Sequence, residues 1–88
     1  MQVKTRTSVY ELSKEGDQFR LVKISLKEGA VSRVNPGRAF TSKNIWINRA
    51  GGLDVDTMNT SPIENLEEVQ QWLKDNGVPE QNITKEML

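Results

Sequence analysis

Hydrophobic and polar residues alternate along residues 18–27, which read Gln-Phe-Arg-Leu-Val-Lys-Ile-Ser-Leu-Lys. Apolar residues occupy the odd positions up to Leu21 and the even positions from Val22 onward, so the period of two changes phase once. This is the longest strand-like run in the chain. A phase change of this kind is typical of a β-bulge or of a strand covered on both faces.

Shorter stretches rich in β-branched and aromatic residues flank this strand and are separated by turn-forming residues. They are Val3 to Leu12, Val31 to Val34, Arg38 to Thr41, Lys43 to Asn48, and Leu53 to Thr57. The polar run from Ser13 to Asp17 includes Gly16, which accepts a positive φ and favours a β-hairpin between the first two strands. We therefore predict an antiparallel meander of about five strands from Val3 to Thr57.

The hydrophobic period changes to that of a helix after Ser61. Ser61 is predicted to be the N-cap, followed by Pro62 at the first helical position and by Glu64, whose carboxylate reaches back to the cap. Apolar residues then recur every three or four positions on one side, at Ile63, Leu66, Val69, Trp72 and Leu73. The pattern predicts an amphipathic helix from Pro62 to Asn76 that covers one face of the sheet.

The length and composition indicate one small folded α+β domain over residues 1–88. Only 35% of the residues are apolar and the mean hydropathy is −0.61, but the apolar residues are patterned instead of scattered. The sheet is predicted over about residues 3–57 and the helix over 62–76. Residues 79–88 are expected to form a short C-terminal segment that adds a helical turn or frays.

The chain contains no cysteine and no histidine. Thiolate chemistry is therefore excluded, together with the usual general base at neutral pH and the commonest transition-metal ligand. Asp54 and Asp56 are predicted on one face of a strand with Asn59 nearby, but no fourth ligand for a hard cation is evident, so solvated acids are the simpler reading. We predict a protein that is not an enzyme and that has no cofactor and no metal site.

The hydropathy pattern also indicates where in the cell the protein is expected. No apolar run approaches the roughly 18 residues of a membrane span, and the N-terminal residues lack the apolar centre of a signal peptide. The sequence therefore predicts a cytoplasmic protein without a membrane partner.

The formal net charge of zero conceals a strong asymmetry along the chain. Residues 1–50 contain ten Lys and Arg against four Asp and Glu, for +6, whereas residues 51–88 contain two against eight, for −6. We expect the folded molecule to be electrostatically polarised.

The basic half favours a first hypothesis, binding of single-stranded or structured nucleic acid across the sheet. Cations on or beside predicted strands neutralise phosphates, and aromatic rings stack on unpaired bases. The candidate phosphate contacts are Arg20, Lys23, Arg33, Arg38 and Lys43, and the candidate stacking residues are Phe40 and Trp46. A solvated cationic face, with the aromatic rings in the core, explains the same pattern without a ligand.

A second hypothesis is a protein-interaction module, such as an accessory protein of viral or mobile-element type. Trp72 and Leu73 widen the apolar stripe of the helix, and tryptophan is enriched at protein interfaces. The helix or an edge strand would then contact another protein or a second copy in a homodimer, which the opposite charges of the two halves also favour. The alternative for Trp72 and Leu73 is that they complete the small core.

Overall fold

The computed structural model describes residues 1–26 and 37–83 and confirms the α+β class. The predicted strand at Val31 to Val34, and all of the C-terminal segment after Ile83, lie outside the described residues. In the described residues the chain forms β1 Gln2–Lys4, β2 Ser8–Glu15, β3 Gln18–Leu26, β4 Ala39–Ser42, β5 Ile45–Ile47, β6 Leu53–Val55, β7 Met58–Asn59, α1 Leu66–Asp75 and α2 Glu80–Ile83. These strands belong to two antiparallel sheets, instead of the single meander that the pattern predicts.

The first sheet has four strands in the order β1-β2-β3-β4. The predicted single strand from Val3 to Leu12 is wrong, because the chain reverses between β1 and β2 and Val3 pairs with Tyr10. Thr5 holds this turn with its side chain and its backbone. The Thr5 Oγ1 accepts a hydrogen bond from the Ser8 backbone N–H at 3.1 Å, and the Thr5 backbone N–H donates to the Ser8 carbonyl at 2.9 Å. A threonine hydroxyl thus supplies turn chemistry in a sequence that otherwise favours a strand.

The second and third strands form the predicted hairpin, with Gly16 in its turn at a φ of 65°. The register slips once: Val9 faces Ser25, but Tyr10 faces Lys23, so Ile24 is an extra residue on β3. The strand therefore contains a β-bulge, but at Ile24 and not at the phase change between Leu21 and Val22. Val22 is half-buried and Ile24 is 45% exposed, so these two apolar residues do not join the core.

The second sheet has the order β5-β6-β7. The buried–exposed–buried pattern of β5 confirms the predicted alternation of Ile45, Trp46 and Ile47. The expected strand from Leu53 to Thr57 ends early, because Asp56 has a φ of 57° and the chain turns back to pair Val55 with Met58. Aspartate tolerates this left-handed conformation better than most residues, which allows a turn without glycine.

The main helix begins four residues later than predicted, at Leu66. The Ser61 hydroxyl lies 3.1 Å from Thr7 Oγ1 instead of capping a helix, and Ile63 forms a bridge with Thr5. The predicted capping box is therefore wrong, because residues 61–65 run along the edge of the first sheet. The helix ends at Asp75, and Gly77, at a φ of 85°, reverses the chain toward α2, a helical turn within the predicted C-terminal segment.

One hydrophobic core joins the two sheets and the helices. Its fully buried members, with at most 1% exposure, are Val3, Leu12, Leu21, Ile45, Leu53, Val55, Val69 and Leu73. They come from β1, β2, β3, β5, β6 and α1, so each element stabilises the others by burying a shared apolar surface.

Candidate functional site

Three of the predicted phosphate-binding cations surround β4. Arg38 precedes the strand and is exposed, Arg20 lies across from Thr41 on β3 and is partly buried, and Lys43 follows the strand. The Lys43 ammonium lies 3.4 Å from the Asp17 carboxylate, and both side chains are mostly exposed. The surroundings of β4 therefore carry an excess of positive charge. Arg33, the fourth candidate, lies outside the described residues.

Lys23 lies inside the molecule and not on its surface. The residue is 1% exposed, and burial lowers the pKa of its ammonium below the usual 10.5. It shares the inward face of β3 with Phe19 and Leu21, ahead of the bulge at Ile24. A phosphate in solution does not reach Lys23 in this structure. The sequence pattern gave no sign of this, because a lysine flanked by Val22 and Ile24 is more typical of the polar face of a strand.

Tyr10 faces Lys23 across the β2–β3 ladder and is also buried. Burial raises the pKa of the Tyr10 hydroxyl above 10.0, and a hydrogen bond with the Ser8 side chain acts in the opposite direction. A raised pKa means that the folded state keeps this proton at a pH where the unfolded chain has lost it.

We therefore expect the free energy of unfolding to fall as the pH rises above about 10 through the raised pKa of Tyr10. Tyr10 is the only tyrosine in the chain, so Tyr10→Phe should remove this loss. The lowered pKa of Lys23 has the opposite sign, because it makes stability rise with pH up to about 10.5 in both proteins. Urea unfolding of wild type and Tyr10→Phe between neutral pH and pH 11 measures the difference. Identical alkaline losses in the two proteins would contradict the assignment.

The predicted stacking residues do not form one platform. Phe40 is partly buried against the core, and the Arg38 guanidinium carbon lies 5.2 Å from the centre of its ring. Trp46 is 42% exposed, but it belongs to the second sheet and pairs across the strands with Asp54. A base stacked on Trp46 would thus lie beside a carboxylate, on a different sheet from Arg20.

The outward face of the four-stranded sheet is electrically balanced in the described residues. The register places Lys4 and Arg20 on this face together with Glu11 and Glu15. The positive excess of residues 1–50 is therefore not concentrated on an open sheet face. In the described residues it lies instead at the ends of β4, at exposed turns such as those of Arg6 and Arg49, and in the buried Lys23.

The two candidate partner-binding residues of the helix differ in exposure. Leu73 is fully buried in the core. Trp72 is partly buried and packs edge-on against Phe19, with ring centres 6.0 Å apart and an interplanar angle of 69°. The outward face of α1 carries acidic residues, among them Glu67, Glu68 and Asp75. This face is polar, and the apolar stripe is used inside the molecule.

The outer edges of the two sheets differ in whether side chains bond to their free backbone groups. Along β1, the Asn65 amide accepts a hydrogen bond from the Lys4 backbone N–H and donates one to the Gln2 carbonyl, both at 2.9 Å. On β5, the Asn82 side chain donates to the Ile45 carbonyl at 3.1 Å. Asparagine side chains thus occupy two edges that would otherwise expose backbone groups. Sequence reasoning missed both, because each acts over 37 or more positions of sequence separation.

The outer edge of β4 has no such cover from the described residues. The Lys23 backbone N–H donates to the Arg38 carbonyl at 3.2 Å, and the Lys23 carbonyl accepts the Gly37 N–H at 2.7 Å. Counting along the ladder from this point, the next hydrogen-bonded pairs are Leu21 with Phe40 and Phe19 with Ser42. Because hydrogen-bonded and non-bonded pairs alternate in an antiparallel ladder, the backbone N–H and C=O groups of Ala39 and Thr41 face away from β3. Both residues are exposed.

The two aspartates predicted on one strand face near β6 do not lie together on that face. Asp54 lies on the outward face of the second sheet, where it accepts a hydrogen bond from the Asn48 amide at 2.8 Å. Asp56 lies in the following turn instead of on the same strand face. Within residues 1–26 and 37–83 no group of three or more acidic side chains is placed to hold a metal ion.

Comparisons with known proteins give no relative from which a function can be taken. No family model matches the chain, and neither a curated protein nor a solved structure matches it. Neither helix in the described part of the chain has the length and apolarity needed to cross a membrane.

Proposed function

We propose that this protein is a non-enzymatic interaction module that binds an extended, acidic segment of another protein along the outer edge of β4. The observation that carries the proposal is the outward backbone ladder of Ala39 and Thr41, which no residue within 1–26 and 37–83 covers. A strand added there would form backbone hydrogen bonds like those of the sheet itself. The edges of β1 and β5 support the choice of β4, since asparagine side chains occupy those two edges.

The charges around β4 support an acidic partner. Arg38, Arg20 and Lys43 flank the strand, whereas Asp17 is the only acidic residue that contacts one of them in the described part of the chain. An incoming acidic strand would gain from this field, which also speeds the encounter between the two proteins. Two copies paired along β4 would bring their cations together, so this edge favours a foreign partner over a homodimer.

Nucleic acid is the second candidate, because Arg20, Arg38 and Lys43 also suit a phosphate backbone. The aromatic rings support this candidate less, because Phe40 is partly buried with Arg38 against its ring and Trp46 lies on the other sheet across from Asp54. The two candidates differ in what they require of β4. Strand addition needs the backbone N–H of Thr41, whereas phosphate binding needs only the cations.

This difference defines the test. A fluorescently labelled synthetic peptide of alternating glutamate and valine is titrated with wild type, Thr41→Pro and Thr41→Val, and binding is followed by anisotropy. Proline removes the outward N–H without removing a bond to β3, and edge strands tolerate it. We expect Thr41→Pro to weaken binding about tenfold, as the loss of one or two backbone hydrogen bonds implies. Thr41→Val keeps the backbone and should bind within about twofold of wild type.

Two controls separate the candidates. Thermal unfolding must show that Thr41→Pro is folded at the assay temperature, and a peptide of alternating lysine and valine must bind far more weakly. Mixed-sequence single-stranded DNA is titrated in parallel at several salt concentrations. Steeply salt-dependent DNA binding that Thr41→Pro leaves intact, together with no binding of the acidic peptide, would favour the nucleic-acid candidate instead.

A further inference from the structure

A cleft of about 250 Å³ opens at the end of the four-stranded sheet, where α1 stops and the chain turns toward α2. Its floor is apolar and consists of Phe19, Ile45 and Val78, and its rim carries Lys14, Lys43 and Asp17. The cleft lies on the inward side of the sheet, and of the cations around β4 it includes only Lys43. Its lining is polar and apolar in similar measure, and it shares with small-molecule sites a few polar groups placed around an apolar floor.

The floor is held in place by the backbone. Gly77, at a φ of 85°, reverses the chain after α1, and the Val78 N–H then donates to the Leu73 carbonyl at 3.0 Å. This bond places Val78 against the core, where it is 8% exposed. The Asn82 amide donates to the Ile45 carbonyl and fixes the opposite wall. The apolar floor is therefore formed before any ligand arrives, so binding requires little reorganisation.

The ammonium groups of Lys14 and Lys43 on the rim can each bind a carboxylate in addition to, or in place of, their present contacts. Lys14 Nζ lies 5.6 Å from the centre of the Phe19 ring and donates to the Asn76 carbonyl at 3.1 Å. An ammonium has three donors, so Lys14 can bind a further acceptor, and its charge offsets the negative end of the helix. Lys43 pairs with Asp17 at 3.4 Å, with the two side chains 67% and 76% exposed. Such an exposed pair is weak and easily exchanged for another carboxylate.

We infer that this cleft binds a small carboxylate with a ring-sized apolar body. The ring would lie on Phe19, Ile45 and Val78, and the carboxylate would pair with Lys43 and Lys14 after displacing Asp17. An apolar cavity of about 150 Å³ is large enough for benzene, so about 250 Å³ accommodates a ring and its carboxylate. For a ligand of this size in an open cleft, we expect a dissociation constant on the order of 1 mM.

Phenylacetate is the probe, and uncharged phenylacetamide is its matched control. The protein comprising residues 1–88, labelled with ¹⁵N, is titrated with each compound and followed by two-dimensional NMR. Saturable shifts are expected for the backbone amides of Asn44, Gly77 and Val78, with phenylacetamide at least about fivefold weaker. Shifts that do not saturate, that lie elsewhere, or that are equal for the two compounds would overturn the proposal.

Three variants test the role of the charges. Lys43→Gln should weaken phenylacetate binding about fivefold, whereas Lys4→Gln, which removes an exposed lysine far from the cleft lining, should leave it unchanged. Asp17→Asn removes the competing carboxylate and should strengthen binding about twofold. All three changes are at exposed side chains, so folding should be retained, and the NMR spectra report this directly. Equal affinities for wild type, Lys43→Gln and Asp17→Asn would show that the rim does not bind the carboxylate.

Discussion

Replacing Gly52 with alanine is expected to lower the free energy of unfolding by about 3 kcal/mol or more, a large share of the stability of a domain this small. Gly52 ends the turn between β5 and β6. A Cβ atom at this position would collide with the Thr60 carbonyl oxygen and would also lie 3.2 Å from the Ser61 carbonyl oxygen. Both are backbone atoms, which cannot rotate away as the end of a flexible side chain does.

The collision cannot be relieved cheaply, because hydrogen bonds hold both sides of the contact. The Thr60 N–H donates to the Leu53 carbonyl at 3.0 Å, and the Leu53 N–H donates to the Thr60 hydroxyl at 2.9 Å. Gly52 itself donates to the Asn48 side chain at 3.0 Å. Moving residues 60 and 61 outward would break part of this network and open the second sheet.

Gly77→Ala is the matched control for this prediction. An added Cβ at Gly77 would meet nothing within 4 Å, so only its φ of 85° opposes alanine. That conformational cost is about 1 kcal/mol. Urea unfolding of the two variants separates steric from conformational effects. If Gly52→Ala were no more destabilising than Gly77→Ala, the close packing of the second sheet against residues 60 and 61 would be contradicted.

The pair Gly51-Gly52 illustrates what the sequence does and does not predict. Two adjacent glycines after a strand indicate a turn, and the structure has one there, with Gly51 at a φ of 89°. The requirement at Gly52 has a different cause, the approach of backbone from the segment after β7. That segment is eight residues away, and no local pattern shows where it will lie. Local conformation can therefore be predicted from the sequence, whereas close contacts between segments cannot.

The same limit explains the errors in the strands. Alternation predicts that residues are extended and which of them are buried, as Ile45 and Ile47 show. It does not predict where a threonine side chain will turn the chain, as at Thr5, or where an aspartate will adopt a positive φ, as at Asp56. Both positions look like strand residues until tertiary pairing gives the turn its partners.

The candidate site around β4, like the strands, can be predicted from the sequence only in part. The concentration of cations in the first half of the chain is a sequence property, and Arg20, Arg38 and Lys43 do gather around one strand. The change of phase predicts a bulge but places it before Val22, so it does not indicate that Lys23 is buried on the same face as Phe19 and Leu21. The open edge of β4 depends on which other edges are covered, and this in turn depends on the long-range contacts of Asn65 and Asn82.

The second large effect is expected at Leu73, which the sequence offered as either a docking residue or a core residue. Leu73→Ala should lower the free energy of unfolding by about 2–5 kcal/mol, because the residue is fully buried and alanine leaves a cavity behind. The Leu73 carbonyl also accepts the Val78 N–H, so loosening of the helix end should extend to the turn at Gly77. Urea or thermal unfolding followed by circular dichroism measures the loss.

Gln71→Ala is the matched control on the same helix. Gln71 is exposed, and among the described residues its side chain bonds only with Asp75, so its removal should change stability by no more than about 0.5 kcal/mol. Trp72→Ala should fall between the two, since the ring is partly buried against Phe19. A Leu73→Ala protein as stable as Gln71→Ala would contradict the core position and return Leu73 to the surface as a docking residue. A large loss at Leu73 would instead leave the edge of β4 as the first surface to examine for a partner.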